Sequence, residues 1–480
     1  MICSPQNKEG VMSSRFVVAA AAVVMLGAAA WGLDDSRLPP QDRVMGWVRE
    51  LCRTAHRRPG TTEGHRAERY VADQFRNIGL RDVRVEPVPI QVWQPRRWRL
   101  AVTSGGREHD IACFYVPYTA FTPSDGVEAP LVYLGDGAPD AITRADLAGK
   151  IAVFDMRFQR LPLDALKAMA FHVEDPNGTF APGEWQWAAW WRQNWAAYDL
   201  AANAGAAGVV WILADQETNV NTHYGPYDGK LKPVPGLYVG KYDGAKLREL
   251  CAPGARGRLV LEGSCKPGEM CNIVGVLPGP GARTVAITSH HDSPFTGATE
   301  DGTGVASLLA LASYYAAVPE AERPANLVFC ATAGHFYGSL GIDTFVQRHR
   351  EDLLRDIAFS VTVEHVGARE FVERDGRWAP TGKLQTRAVL VWPQLTDAAV
   401  GAVKAERLER AIVAAADVFG GAPPGEASGF HTAGIPCVQY ESGPTYLLVS
   451  DDTLDKVEPS ALLPVVRTMI RLIDTAAGKS

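Results

Sequence analysis

Three strand-like runs in the second half of this chain end in imidazoles and carboxylates, and this pattern restricts the fold more than any other feature. Thr284–Ser289 runs into His290, His291 and Asp292, Asn326–Thr332 leads to Gly334 and His335, and Ala358–Val363 ends at Glu364 and His365. The runs are short and rich in apolar and β-branched residues, as strands covered on both faces must be. Helical stretches separate them: Gly304–Ala317, the segment up to Asp356, Ala405–Val418 and a closing helix from Ser460, with further strands at Ala388–Trp392 and Cys437–Glu441. This alternation predicts an α/β fold, a mainly parallel mixed sheet sandwiched by helices. In such sheets chemistry gathers beyond the carboxyl ends of the strands, which is where these polar residues fall.

Upstream, Asp42–Gly79 reads as helical, with Tyr70, Val71, Phe75 and Ile78 on one stripe and Gly79 as the stop. Val83–Val92, Trp98–Val102 and Ile111–Val116 read as strands. The stretch from about Gly126 to Gly263 has its own rhythm: a turn feeding a buried strand at Leu147–Phe154, a helix, glycine turn and strand at Leu200–Leu213, and a third strand at Val234–Val239. Trp185, Trp187, Trp190, Trp191 and Trp195 crowd into eleven positions. They fit an amphipathic helix packed on a neighbouring domain better than an aromatic lid over a ligand.

Composition serves mainly to exclude. With 48 Lys and Arg against 54 Asp and Glu, a net charge of −6 and no basic run, the chain lacks the footprint of a nucleic-acid binder. A 46% hydrophobic content excludes disorder, and 480 residues imply two or three domains. Phe16–Leu33 is the one apolar run approaching membrane-spanning length; with Lys8 and Arg15 before it and small residues at Ala28–Ala30 it has the layout of a secretory signal. The protein is therefore expected to be exported, periplasmic or extracellular, with a membrane tether through residues 16–33 as the alternative to cleavage. Of eight cysteines none forms a CxxC pair, which argues against a cysteine-based zinc site. Cys265 and Cys271 flank a turn-rich segment and are the candidates for a small disulfide loop; Cys330 reads as a core thiol.

Imidazoles and carboxylates converging from three strand ends suit a divalent ion, zinc above all. Here a resemblance becomes specific. Residues 283–304 resemble the core of the zinc aminopeptidase family that also contains glutaminyl cyclases and glutamate carboxypeptidases, in which a strand ends in His-x-Asp-Ser and a helix opens at Gly-Ala-x-Asp-Asp/Asn-x-x-Gly. This chain has His290-His291-Asp292-Ser293 and then Gly297-Ala298-Thr299-Glu300-Asp301-Gly302-Thr303-Gly304. The likeness extends to Gly338-Ser339, to Gly434-Ile435-Pro436 and to Asp452–Val457, and the strand-and-turn units before Gly263 resemble a protease-associated domain. The resemblance implies a signal or anchor over 1–35, a first part of the peptidase-like domain over 36–119, a protease-associated insertion over 120–263, and the peptidase-like catalytic domain over 264–480.

It also implies a site: His290, Glu300 and Glu364 as metal ligands, Asp292 and Asp301 supporting them, and a cis peptide between Glu300 and Asp301. Three departures stand out. Glu occupies two ligand positions where Asp is usual. Thr332-Ala333-Gly334-His335 lacks two glutamates of the family, one the general base and the other a ligand. The position of a distal histidine ligand holds Leu448. Two readings follow. One is a rearranged hydrolase of peptides or small amides, using one zinc ion, with His335, His365 and His431 as the imidazoles available for proton transfer. The other is an inactive relative that binds a partner through its protease-associated domain.

Overall fold

A helix that is apolar all round has to be buried all round, and Gly304–Ala316 is such a helix: eleven of its residues, from Gly304 to Tyr315, are buried. It packs on the strands Thr284–His290, Asn326–Thr332 and Ile357–Val363 and is covered by the helices Gln41–Leu51, Thr62–Ile78 and Leu462–Gly478. The computed structural model describes residues 33–192 and 195–478, and Asp34–Ser480 packs as one unit. The apolar segment offered by the sequence as an export signal lies outside the described residues, Leu33 aside. Among the described residues, no helix is long and apolar enough to cross a membrane.

The fold is mixed α/β, with a large sheet flanked by helices. Thr284–His290 lies at its centre, parallel to Asn326–Thr332 on one side and to Ile357–Val363 on the other. Ile357–Val363 is followed by parallel Cys437–Ser442, then by Arg387–Val391, antiparallel to it, and by Ala411–Ala415. On the opposite side Arg256–Leu277 runs antiparallel to Asn326–Thr332 and, along most of its length, to Arg81–Ser104. The intervening chain supplies Val127–Tyr133, Ile151–Met156, Gly208–Leu213 and Gly236–Val239, paired in parallel in that order. Val127–Tyr133 also pairs with Arg256–Leu259 of the long strand, so the sheet continues without a break.

Local chemistry explains most boundaries. Thr61 caps the helix Thr62–Ile78 by accepting from the Gly64 N–H, and Gly79 ends it in the left-handed region at φ 100°. Three sequence expectations fail, each because tertiary contacts override a local pattern. The helix expected over Ala405–Val418 is instead the end of a helix, Thr396–Ala405, and a strand, Ala411–Ala415. Left-handed Arg407 and Arg410, at φ 48° and 53°, turn the chain between them. A short alanine- and valine-rich run buried on both faces does not declare its period. The tryptophan-rich helix is a strand, Trp185–Arg192, paired with Phe158–Pro162, and of the five tryptophans Trp195 alone falls in a described helix, Trp195–Asn203. Cys265 and Cys271 are both free and lie on the single strand Arg256–Leu277. Six residues of extended chain span about 20 Å, far beyond the ~7 Å limit for bridged Cα atoms.

The helix Leu340–His349, which follows the His335 loop, is pinned by its last residue. His349 Nε2 lies 2.9 Å from both oxygens of Glu86, and Nδ1 lies 2.9 Å from Asp352. Burial pulls the His349 imidazole down, but the hydrogen bonds to Glu86 and Asp352 outweigh it and hold the group above its ordinary 6.5. Burial pushes Glu86 up, yet His349 keeps it below 4.5. The histidine's contribution is therefore complete below about 6.5 and lost as pH rises through its folded value; the glutamate's is lost as pH falls through its own lowered value. We expect His349→Gln to destabilise the protein by about 1–3 kcal/mol near pH 5.5, and the difference from wild type to shrink by about pH 9. Thermal melts at matched ionic strength check this.

Candidate metal centre

The strand Thr284–His290 delivers His290, fully buried, at its carboxyl end. The chain then turns through Asp292 and Gly297 into Ala298–Thr303, which carries Glu300 and Asp301. The Glu300–Asp301 peptide is cis. Arg57, 1% exposed, holds this turn from outside: Nε donates to the His291 carbonyl at 2.9 Å, and its two terminal nitrogens donate to Thr296, Gly297 and Glu300 at 2.6, 3.0 and 3.3 Å. From the far side, the Asp452 carboxylate accepts from the N–H groups of Thr299 and Glu300 at 3.0 and 2.8 Å. Asp301 ties three elements together, accepting from Ser289 Oγ at 2.6 Å, the Gly304 N–H at 3.1 Å and the His365 N–H at 2.9 Å.

Glu300 sits between two imidazoles. Its Oε1 is 3.3 Å from His290 Nε2 and its Oε2 is 2.9 Å from His365 Nε2. In each ring the other nitrogen faces a group that can only accept. His290 Nδ1 is 3.1 Å from the Asp292 carbonyl, and His365 Nδ1 is 2.7 Å from the Ser442 carbonyl. Both Nδ1 atoms must then carry the proton, so the neutral rings aim Nε2 lone pairs at carboxylate lone pairs. All four facing atoms are buried and none has a hydrogen bond. Without a metal, protons fill the gap. Burial lowers His365, but Glu300 outweighs it and the group rises to about 10; burial raises Glu300, but His365 and His290 hold it far below its usual range. A divalent cation would resolve the same conflict, and imidazoles fixed through Nδ1 are what metal ligation requires. The donor set fits zinc.

His335 joins from the loop after Asn326–Thr332. Its ring stacks on His290, centroids 4.3 Å apart, and Tyr227 covers it at 5.5 Å. Its Nδ1 lies 3.1 Å from Glu426 Oε1. Asp292 accepts from the N–H groups of His335 and Phe336 at 3.4 and 3.5 Å, joining this loop to the His290 loop. Glu364 ends its strand with both oxygens engaged, Oε1 by the Glu426 N–H at 2.9 Å and Oε2 by Gln439 Nε2 at 3.0 Å; burial raises it to about 7. A methyl group on Gly425, at φ 79°, would sit 2.3 Å from Glu364 Oε2, so only glycine lets that loop approach. Ligand atoms of His290, Glu300 and His335 lie within 4.8 Å of one another, as do those of His290, Glu364 and His365.

The structure thus brings together His290, Glu300, Glu364, His335 and His365, with Asp292 and Asp301 supporting them. It does not bring His431 to them: that ring packs on Trp392 at 5.0 Å. Ala333 and Gly334 are buried, and a side chain on Gly334 would strike Met270. Leu448 lines the narrow cleft above the cluster, with Tyr227, Pro424 and Leu447; Glu441, raised by burial to about 8, lines it too. Glu426, Glu441, Arg57 and Tyr227 were not singled out from the sequence. They belong to turn-rich loops or to an isolated strand end, where no periodic pattern points, and only the Pro-Pro-Gly turn at 423–425 marks Glu426 as a loop acid.

Residues 272–473 match the model of Peptidase family M28. That segment is an M28 peptidase domain. No curated protein sequence matches the chain. Among solved structures, a zinc aminopeptidase from Bacillus subtilis superposes with a TM-score of 0.68 at 19% identity, covering 92% of this chain and 96% of that one. An aminopeptidase from Aneurinibacillus sp. strain AM-1 gives 0.60 at 19% identity, with the same 92% and 96% coverage. A Peptidase M28 precursor from Shewanella amazonensis SB2B gives 0.67 at 19% identity, covering 92% and 97%. At that identity the likeness concerns the fold. The M28 segment contains every residue of the cluster, while Arg57 and Tyr227 reach it from outside the segment.

Replacing Arg57 by Met would take a buried donor away from the carbonyls of His291, Thr296, Gly297 and Glu300. The expected loss is about 3 kcal/mol or more, measured as a lower urea midpoint with unchanged slope.

Proposed function

We propose that this protein is an exported zinc-dependent hydrolase of the aminopeptidase type, with a rearranged site built for one ion rather than two. The observation that carries the reading is the convergence on Glu300 of two imidazoles whose Nδ1 atoms are already spoken for. His290 belongs to two sets of ligand atoms lying within 4.8 Å of one another, one with Glu300 and His335 and the other with Glu364 and His365, and these residues would hold the ion. When bound, zinc supplies a Lewis acid for an amide carbonyl and for an attacking water.

The chain's own residues do the rest. Asp292, Asp301 and Asp452 keep the ligand loops in register, and Glu364 is held from two sides by Glu426 and Gln439. His335, at the cleft and grouped with His290 and Glu300, has Nε2 available to join the ligands of the ion or to take and return a proton as a general base. Tyr227, Pro424, Leu447 and Leu448 present an apolar wall, which suits the side chain of one residue of a peptide or small amide. Leu448 brings no ligand to that wall, which favours a single ion. Residues 1–35 serve as signal or anchor, and 120–263 is a protease-associated insertion that lends Tyr227 to the site.

The test is metal analysis of purified protein followed by a panel of aminoacyl anilides. Wild type should hold about one zinc per chain, and His290→Ala should lose both the metal and roughly 10²-fold or more of the hydrolysis. A zinc-free wild type whose melting temperature ignores added zinc would defeat the proposal and leave the inactive, partner-binding reading in its place.

A further inference from the structure

Glu426 is fully buried, comes from a loop remote in sequence from every other member of the cluster, and makes three contacts that converge. Its Oε2 accepts from Thr332 Oγ1 at 2.6 Å, its Oε1 faces His335 Nδ1 at 3.1 Å, and its backbone N–H donates to Glu364 Oε1 at 2.9 Å. The hydroxyl of Thr332 uses one oxygen of the carboxylate and leaves the other for His335. A carboxylate facing Nδ1 requires the proton there and frees Nε2. The ring itself is clamped flat between His290 and Tyr227, interplanar angles 11° and 24°. Stacking fixes the plane but not which edge faces the site; among the described residues the Glu426 contact does that.

We propose that Glu426 is the positioning residue of this site: it holds His335 with Nδ1 protonated and Nε2 turned toward His290 and Glu300. Its own backbone holds Glu364, so one residue sets the orientation of groups arriving from two different strands. Gly425 makes this possible, since any side chain there would displace the Glu364 carboxylate. The loop 424–426 is therefore the device that brings His335 and Glu364 into a common geometry. This inference rests on the zinc reading for its metal readout, but not for its spectroscopic one.

Two measurements test it. The first is zinc affinity by competition with a chromophoric chelator, on wild type, Glu426→Ala, Glu426→Gln, His335→Ala and the Glu426→Ala/His335→Ala double variant, each checked for native melting. Loss of such an outer partner typically weakens metal binding by roughly 10–100-fold. Glu426→Ala should show a loss of that size, Glu426→Gln, which keeps an acceptor, much less, and the double variant should bind no worse than His335→Ala alone. An Ala effect that persists undiminished in the His335→Ala background would overturn the proposal, because Glu426 would then act through Glu364 or the fold. The second measurement needs no metal: the His335 Nδ1–H proton resonance, expected protected and downfield in wild type and Glu426→Gln and lost in Glu426→Ala. If wild type binds no zinc, the zinc reading fails by itself and this resonance decides; its absence from wild type overturns the positioning role.

Discussion

A carboxylate buried between two imidazoles is the constraint around which the centre of this molecule is arranged. Glu300 is 1% exposed and His290 fully buried, in an environment where an uncompensated charge is prohibitive. Each charge must be answered locally, by a proton or by a cation. The surroundings reflect that demand. Arg57 spends its donors on backbone carbonyls of the turn that carries Glu300, Asp452 binds that turn's N–H groups, and Asp301 links it to the strands of His290 and Glu364. The apolar helix that follows starts at Gly304, whose N–H is taken by the Asp301 carboxylate of this turn. Left-handed His365, at φ 53°, is an unusual backbone state for a residue with a side chain. It aims Nε2 at Glu300 while the Ser442 carbonyl holds Nδ1.

The intervening chain between the two halves of the sheet reaches the same centre. Tyr227 lies over His335, and the loop carrying it is stitched to both walls of the cleft. The Tyr224 N–H donates to the Leu448 carbonyl at 3.0 Å and the Gly338 N–H donates to the Tyr227 carbonyl at 2.7 Å. Isolated bridges join His223 to Val449 and Asp228 to Tyr337. A substrate would therefore meet a wall made from both parts of the chain, so changes in the loop 223–228 bear on what the cleft accepts.

Legibility in the sequence followed physical range. The strand ends at His290, Thr332 and Val363 were readable because a doubly covered strand needs a continuous apolar run, and an imidazole or acid ends it abruptly. The resemblance implies His290, Glu300 and Glu364 as one ligand set, whereas in the structure His290 is grouped with Glu300 and His335 and, separately, with Glu364 and His365. Ala411–Ala415 and Trp185–Arg192 were misread because alanine and tryptophan runs satisfy either period, and only their sheet partners decide. Glu426 and Arg57 were invisible for a different reason. Each is a single residue in a turn, and its meaning comes from atoms more than 90 or 230 positions away along the chain.

By itself the sequence determined that this protein has a parallel-rich sheet with helices on both faces, and that histidines and acids collect at one edge of it. Those are properties of local pattern, set by what a buried strand or helix can tolerate along a few residues. Only the tertiary structure decided which of the imidazoles share a carboxylate, that His431 stands apart against Trp392, and that an acid from the 424–426 loop turns His335 toward the rest. Ring orientation depends on which acceptor meets Nδ1, and such acceptors come from whatever segment folding happens to place there.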